Sequence, residues 1–385
     1  MKVIGIDASN LLEGGGLTHL QELLQHSNPI SNNFDKIIIW GSSKTLCKIC
    51  DQYWIEKKSS IFLNGNLFFR LIWRVFFCKF EYKKYNCSIL FTPGGSDSSG
   101  FKPMVTMCRN MLPFEKDQAL MFGFGLKYIK FLLLKYFQSK SFLKANGLIF
   151  LTNYASSIVH EIVPTLGNKS VIIPHGISRR FFIEPRKHIN AFDALNKCKI
   201  IYVSKTDPYK HHLNVVKAVY MLNLENYHVE LNLIGPRGSS ANKVDLLIKK
   251  LDPNNQYLKN LGKVDYESLN SFYKSSDISI FASSCENMPN ILLESMASGL
   301  PIACSNFGPM PEILRDNAIY FNPNSVHEIY SSISRLINSK KLRSQLASSS
   351  YLLANSYSWE KCALDTFNYL NRVYLTYNNQ KNDKK

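Results

Sequence analysis

Residues 283–314, SSCENMPNILLESMASGLPIACSNFGPMPEIL, set two carboxylates, Glu286 and Glu294, around a proline and follow them with an apolar, helix-like run. Gly299 and Pro301 stop that run, a short strand-like run follows, and a third acid, Glu312, closes the stretch. Two arrangements are open. In one, Glu286 is a solvated acid ahead of a helix and Glu294 lies on that helix's exposed face. In the other, Pro289 sits in the first helical turn, so the amides of Asn290, Ile291 and Leu292 lie free at a helix N-terminus as an anion site. Glu286 then stands in the loop ahead of that site and Glu294 two turns on. Amides take a phosphate and carboxylates take hydroxyls, so this second arrangement can hold a phosphate-bearing polyol.

Outward from this stretch, short β-branched apolar runs alternate with longer amphipathic ones. KVIGID, LTHLQELLQH, KIIIWG, SILFTP, MVTMC, GLIFLT and SVIIPHG make one series. A second begins at KIIYVS (199–204) and passes through HLNVVKAVYML, VELNLIG, VDLLIKKL and ISIFASS to the opening stretch and IYFNP. Strand and helix in strict turn predict parallel sheets covered on both faces, and the series runs twice. The expected fold class is therefore α/β, with two Rossmann-like, doubly wound domains facing a central cleft lined by the carboxyl ends of their strands. The expected boundaries are 1–180 for the first domain, 181–198 for a polar connection, and 199–377 for the second domain. SWEKCALDTFNYLNRVYLTY reads as a long amphipathic helix closing the second domain, and 378–385 as a solvated tail.

Composition narrows the partners. With 385 residues, 45% of them hydrophobic, the chain has material for about two cores. The nine cysteines are odd in number and scattered, which fits a reducing, cytoplasmic compartment, and Cys47-Lys48-Ile49-Cys50 lacks the second pair a zinc site needs. MKVIGIDASN is cut off by Asp7 and reads as a first buried strand rather than a signal-peptide core. A net charge of +17 points to nucleic acid, anionic lipid or a phosphorylated substrate. Nucleic acid is disfavoured, since no zinc-finger spacing, RNP-like strand or basic-zipper pattern occurs. Segments 66–82 (NLFFRLIWRVFFCKFEY) and 126–137 (LKYIKFLLLKYF) interleave cations with aromatic and aliphatic residues. They are too charged to span a bilayer and suit helices lying in its interface; the alternative is core-facing helices with solvated basic edges.

Several motifs are incomplete. Gly14-Gly15-Gly16 follows the first strand and precedes a helix, where backbone amides can approach a phosphate. It is not G-x-G-x-x-G, no P-loop occurs, and His160-Glu161 and His327-Glu328 do not continue to H-E-x-x-H. There is no Asp-x-Asp to hold a metal on a diphosphate, so neither metal nor cofactor is expected. Lys205 and Lys210, in YVSKTDPYKHH, fall on the loop after a strand, where two cations suit a diphosphate.

Together these pieces resemble the family 4 retaining glycosyltransferases of the GT-B fold, the glycosyl transferases group 1. Ser283–Leu314 is similar to their Glu-x7-Glu region, and Gly14–Gly16, VIIPHGI, the YVSK…YK lysines, LNLIGPRG, LGKVDYESLNSFYKSSDISIFASS and the SWEK helix follow in the family's order. The resemblance implies that Glu286 binds the donor sugar's hydroxyls, that Glu294 holds the nucleotide ribose, and that Lys205 and Lys210 grip the diphosphate, with Gly14–Gly16 approaching from the other domain. Two departures stand out. Lys205 replaces a frequent arginine, which loses the bidentate fork. The acceptor-side histidine is not evident in the corresponding stretch, MCRNMLPFE (107–115), which offers Arg109 and Asn110. The implied activity is metal-independent, retaining sugar transfer from a nucleotide diphosphate sugar to a lipid-linked or lipopolysaccharide-type glycan, by a protein peripheral to the inner face of the membrane. A nucleotide-sugar epimerase of the same architecture and a non-catalytic, sugar-nucleotide-binding membrane scaffold are the alternatives.

Overall fold

The computed structural model describes residues 1–186 and 192–383, so 187–191 of the expected connection lie outside the described residues. The chain forms two compact units: Met1–Phe114, Ile129–Gly176 and Ser358–Lys385 make unit 1, and Glu115–Tyr128 and Ile177–Tyr357 make unit 2. Unit 1 holds strands β1 (Val3–Asp7), β2 (Lys36–Trp40), β3 (Ile55–Lys58), β4 (Cys87–Thr92), β5 (Met104–Met107), β6 (Gly147–Phe150) and β7 (Ser170–Ile172). Among the described residues they form one sheet in the order β3-β2-β1-β4-β5-β6-β7, every pairing parallel. Unit 2 holds β8 (Cys198–Val203), β9 (Val229–Ile234), β10 (Leu258–Gly262), β11 (Ile278–Phe281), β12 (Ile302–Ser305) and β13 (Ile319–Phe321). These order as β10-β9-β8-β11-β12-β13, again all parallel.

The central strands are buried apolar runs because helices cover both faces, as with Ile4, Ile6, Ile37 and Ile39 in one sheet and Ile200, Ile201, Leu231 and Ile280 in the other. In each sheet the winding direction reverses beside the first strand of the unit, at β1/β4 and at β8/β11. The loops leaving the carboxyl ends of such a pair diverge and leave a crevice in which ligands bind in this class of sheet. In unit 2 those two loops carry Lys205 and Lys210 after β8, and Glu286 after β11.

Glu115–Tyr128 and Ile177–Arg180 belong to unit 2, although the expected boundary placed them in the first domain, and two further features differ from the sequence expectation. The terminal helix, Trp359–Asn382, belongs with unit 1 rather than closing the second domain. Its buried side includes Cys362, Ala363, Phe367 and Leu370, and the Tyr369 hydroxyl accepts from the Leu148 amide (3.0 Å) and donates to the Lys169 carbonyl (2.6 Å) beside β6. The helix also runs on through 378–382, inside the expected solvated tail, because no glycine or proline interrupts it. The basic aromatic segments are helical, but much of their apolar surface faces outward. Phe68, Phe76 and Phe80 are 66%, 72% and 67% exposed, while Trp73, Cys78 and Tyr82 of the same segment enter the core. A core-facing placement therefore fails for the phenylalanines.

Candidate functional site

The site in unit 2 is built on the β8/β11 reversal. After β8 the chain makes a tight helical turn, Pro208–Lys210, whose last carbonyl accepts from the Tyr202 hydroxyl (2.6 Å). Lys210 is thereby drawn inward and is buried, its ammonium 5.0 Å from the ring centre of Tyr209 and 5.6 Å from that of Phe281. There Nζ meets Glu286 Oε1 in an ion pair that is largely shielded on both sides. The sequence placed both residues at one site; their mutual pairing is added by the fold. Lys205 lies differently. Its side chain is 53% exposed and pairs with Asp207 at 3.2 Å. Asp207 also accepts from the Ser239 amide (2.9 Å) and hydroxyl (3.2 Å); burial pushes its carboxyl up, but these bonds together with Lys205 outweigh it and hold the carboxyl below the ordinary range.

The opening stretch folds as a loop, then the helix Asn290–Ala297, then β12. Pro289 is the residue capping the helix, with extended backbone, rather than part of its first turn. Its carbonyl accepts from the amides of Leu292 (3.0 Å) and Leu293 (3.3 Å), so Leu292 is withdrawn from the anion-binding set and Asn290 and Ile291 lead the helix. The helix ends where Gly299 adopts φ +61°, and a Cβ there would lie 2.6 Å from the Ile183 carbonyl oxygen.

Glu294 overturns the solvated arrangement, being only 4% exposed. Its Oε1 accepts from the Tyr266 hydroxyl at 3.0 Å, whereas Oε2 has no hydrogen-bond partner among the described residues. Burial pushes its carboxyl up to about 7, against a partial pull-back from Tyr266, Arg180 and Tyr273. Arg180 stacks its guanidinium 3.8 Å from the Tyr266 ring centre and is anchored by Glu267 at 2.6 Å. A buried carboxylate with an open oxygen, on the helix that follows the Glu286 loop, is fitted to accept hydroxyl donors from a ligand.

Other residues of the site carry no sequence signature. His211 has a left-handed backbone (φ +50°), and its Nε2 lies 2.9 Å from Ser284 Oγ, linking the Lys210 loop to the Glu286 loop. Ser284 also bonds Gln118, from the Glu115–Tyr128 part of unit 2. Burial pulls the imidazoles of His211 and His212 down to about 4 and about 3, which keeps both neutral at physiological pH.

In unit 1, Gly14 caps the helix Gly15–Gln25 with φ +75°, a conformation that suits glycine. Arg109 is turned onto this loop: Nη1 donates to the Gly16 carbonyl (2.9 Å) and Nη2 to the Gly15 carbonyl (2.5 Å). Burial pulls its guanidinium down to about 10. A Cβ on residue 16 would stand 3.3 Å from Nη1, so the glycine makes room for the clasp. Asn110 is also occupied internally, its Oδ1 accepting from the Leu112 amide at 3.2 Å. His19, His175 and Trp359 pack together with tilted rings, and burial beside Arg109 holds both imidazoles well below their ordinary range.

Residues 185–352, which hold every member of the Lys210–Glu286–Glu294 arrangement, match the family described as glycosyl transferases group 1. The chain carries a glycosyl transferases group 1 domain. It is 25% identical over 191 residues to an O-antigen chain mannosyltransferase B of Escherichia coli, across 48% of this chain and 50% of the relative. The chain spans about half the length of the curated relatives it matches. Among solved structures it superposes on sucrose-phosphate synthase from Thermosynechococcus elongatus with a TM-score of 0.75 at 14% identity, covering 95% of this chain and 97% of that one. It superposes on Anabaena HepE in complex with UDP and glucose with a TM-score of 0.68 at 14% identity, covering 96% and 97%. At such identities these likenesses speak for the fold, which is GT-B.

Proposed function

We propose that this group 1 protein is a retaining, metal-independent glycosyltransferase that moves a sugar from a nucleotide diphosphate sugar onto a lipid-linked or lipopolysaccharide-type glycan at the inner membrane face. The observation that carries the proposal is the Lys210–Glu286 ion pair at the β8/β11 reversal, with the buried Glu294 on the helix that follows. The two charges satisfy one another. A bound diphosphate would compete for the Lys210 ammonium, which has three N–H donors, while Glu286 turns to sugar hydroxyls and Glu294 Oε2 to the ribose. When the bond from the anomeric carbon to the diphosphate oxygen breaks, its electron pair goes to the leaving phosphate. Lys210, Lys205 and the amides of Asn290 and Ile291 are the groups to meet that charge. The acceptor hydroxyl oxygen bonds the anomeric carbon on the face the phosphate leaves, and its proton passes to the departing phosphate oxygen. Gly14–Gly16, held by Arg109, is the phosphate-approaching loop proposed for unit 1. The E. coli relative named for O-antigen mannosyl transfer and the UDP complex of HepE support the acceptor and donor classes.

The test incubates the full chain with UDP-, GDP- and dTDP-sugars and a lipid-linked glycan in the presence of EDTA, reading product and anomeric configuration by NMR. Transfer with the donor's configuration kept is expected. Isomerised donor alone would favour an epimerase, tight donor binding without transfer or hydrolysis would favour a scaffold, and loss in EDTA restored by manganese would overturn metal independence.

A further inference from the structure

The two basic aromatic segments, which lie about 50 residues apart in sequence, are tied to one loop of unit 1. In the first, the helix Leu67–Ile72 passes through a π-helical turn, Trp73–Phe77, into the helix Cys78–Lys84. The wider turn brings Trp73 and Cys78, five residues apart, onto the same inward side, which leaves Val75, Phe76 and Phe77 outside. The Arg74 carbonyl on this turn accepts from Cys78 Sγ (2.9 Å) and from Ser98 Oγ (3.0 Å), and the Arg74 guanidinium donates to the Ser96 carbonyl. The second segment is the helix Leu126–Lys144, in unit 1 from Ile129 onward. Its Ser141 hydroxyl accepts from the Asp97 amide (2.8 Å) and reaches the Asp97 carbonyl (3.1 Å). Both segments therefore converge on residues 96–98, in the loop after β4, one of the two strands at the reversal of the first sheet. Ile129, Leu133 and Phe137 are exposed on the second helix as Phe68, Phe76 and Phe80 are on the first.

We propose that these segments form one insertion surface around the 96–98 loop, whose apolar side chains enter the headgroup region of an anionic bilayer. Resting on the lipid-linked-acceptor reading above, this places the carboxyl edge of the first sheet at the membrane where such an acceptor is anchored. Charge selects a bilayer over a protein partner. Residues 61–85 carry five cations and one acid, and residues 126–144 carry five cations and no acid. A protein would need an acidic surface matched to both segments, whereas anionic lipid supplies negative charge wherever a cation reaches. The inward anchors, Trp73, Cys78 and Tyr82, sit in a core with Trp40 and Leu90, so the outer phenylalanines are presented on a fixed scaffold.

The test uses the full chain, vesicles of phosphatidylcholine with and without phosphatidylglycerol, low and high salt, and two variants, Phe68→Ser/Phe76→Ser/Phe80→Ser and Lys130→Glu/Lys135→Glu. The wild type is expected to bind the anionic vesicles, with a fraction that survives high salt. The serine variant should lose that fraction, by about tenfold per phenylalanine, while keeping an unchanged melting temperature and turnover of a soluble, truncated acceptor. The glutamate variant should lose mainly the low-salt binding. Salt-resistant binding retained by the serine variant would overturn insertion and leave membrane attraction standing. A wild type indifferent to both vesicles at both salts would remove the membrane reading itself. A concentration-dependent dimer dissolved by the serine changes, with vesicle binding intact, would assign the surface to a second copy and overturn the inference.

Discussion

Replacing Glu294 with glutamine keeps the shape of the side chain and removes a titrating group that burial holds at about 7 against an ordinary 4.5. The folded pKa lies above the unfolded one, so the folded protein keeps its proton longer than the unfolded chain does. Between pH 4.5 and about 7 the unfolded state ionises first, and wild-type stability falls as pH rises; above that window both states are ionised and the loss levels off. The separation of the two values corresponds to about 3 kcal/mol at pH 7. Glu294→Gln does not titrate, so its stability relative to wild type should climb from near zero at the acid end to about 3 kcal/mol at neutrality. Urea unfolding at a series of pH values, with unchanged slope against denaturant, measures this difference directly. A difference that stays flat with pH would refute the placement of Glu294 as a desolvated carboxylate.

The same variant separates stability from function. Ribose hydroxyls donating to the carboxylate favour its ionised form, so wild-type affinity for a nucleoside diphosphate should rise as pH passes through 7, and the glutamine variant should bind more weakly with no such rise. A carboxylate that destabilises the fold and tightens a ligand complex is the pattern expected of a retained binding group.

Lys210→Ala should lower kcat by about 10²–10³ while affecting donor affinity less, because the leaving phosphate gains charge in the transition state; a raised donor Kd with unchanged kcat would leave Lys210 a mere holder. The same change strands the Glu286 carboxylate and should cost about 3 kcal/mol, most of it recovered in Lys210→Ala/Glu286→Gln, as a denaturation double-mutant cycle would show. Arg109→Ala should raise amide hydrogen exchange across 14–20 and lower stability by about 2 kcal/mol, since two carbonyl contacts of the glycine loop go with it; unchanged exchange there would show that the loop holds itself.

Legibility in the sequence followed burial. Central strands such as KIIIW and KIIYV are apolar because both faces are covered, and their alternation with helices gave two parallel sheets directly. The strands without an apolar signal are β3 (IEKK) and β10 (LKNLG), each at the outer edge of its sheet. Edge strands are half-solvated and charged, as the Glu56 pairs with Lys36 and Lys58 illustrate, so they lack the apolar signal while gaining protection from edge-to-edge pairing. For Glu294 a signal was present: NILLESMA carries apolar residues all round, and a helix of that kind is buried on every side, acid included. No comparable pattern announces His211, Ser284, Gln118 or Tyr266, which meet across long sequence separations. The terminal helix packs with unit 1 rather than the second domain for a related reason, since amphipathicity fixes which face is buried and leaves open the core it is buried against.

Charge shows how the fold resolves what composition leaves open. The +17 of the chain could serve a phosphorylated substrate or an anionic surface. On the loop after β8 both lysines are opposed by acids, Lys205 by Asp207 and Lys210 by Glu286, so these lysines contribute little net positive field. Arg70, Lys79, Lys83, Lys130 and Lys135 make no ion pair with a described residue, and they lie among exposed aromatic and aliphatic side chains on the two segments that meet at the 96–98 loop. Outward apolar groups interleaved with free cations keep apolar surface against water unless a surface that is both anionic and apolar takes them up. The unneutralised part of the charge therefore argues for the bilayer proposed above, and Lys205 and Lys210, each paired with an acid, add little to any long-range positive field.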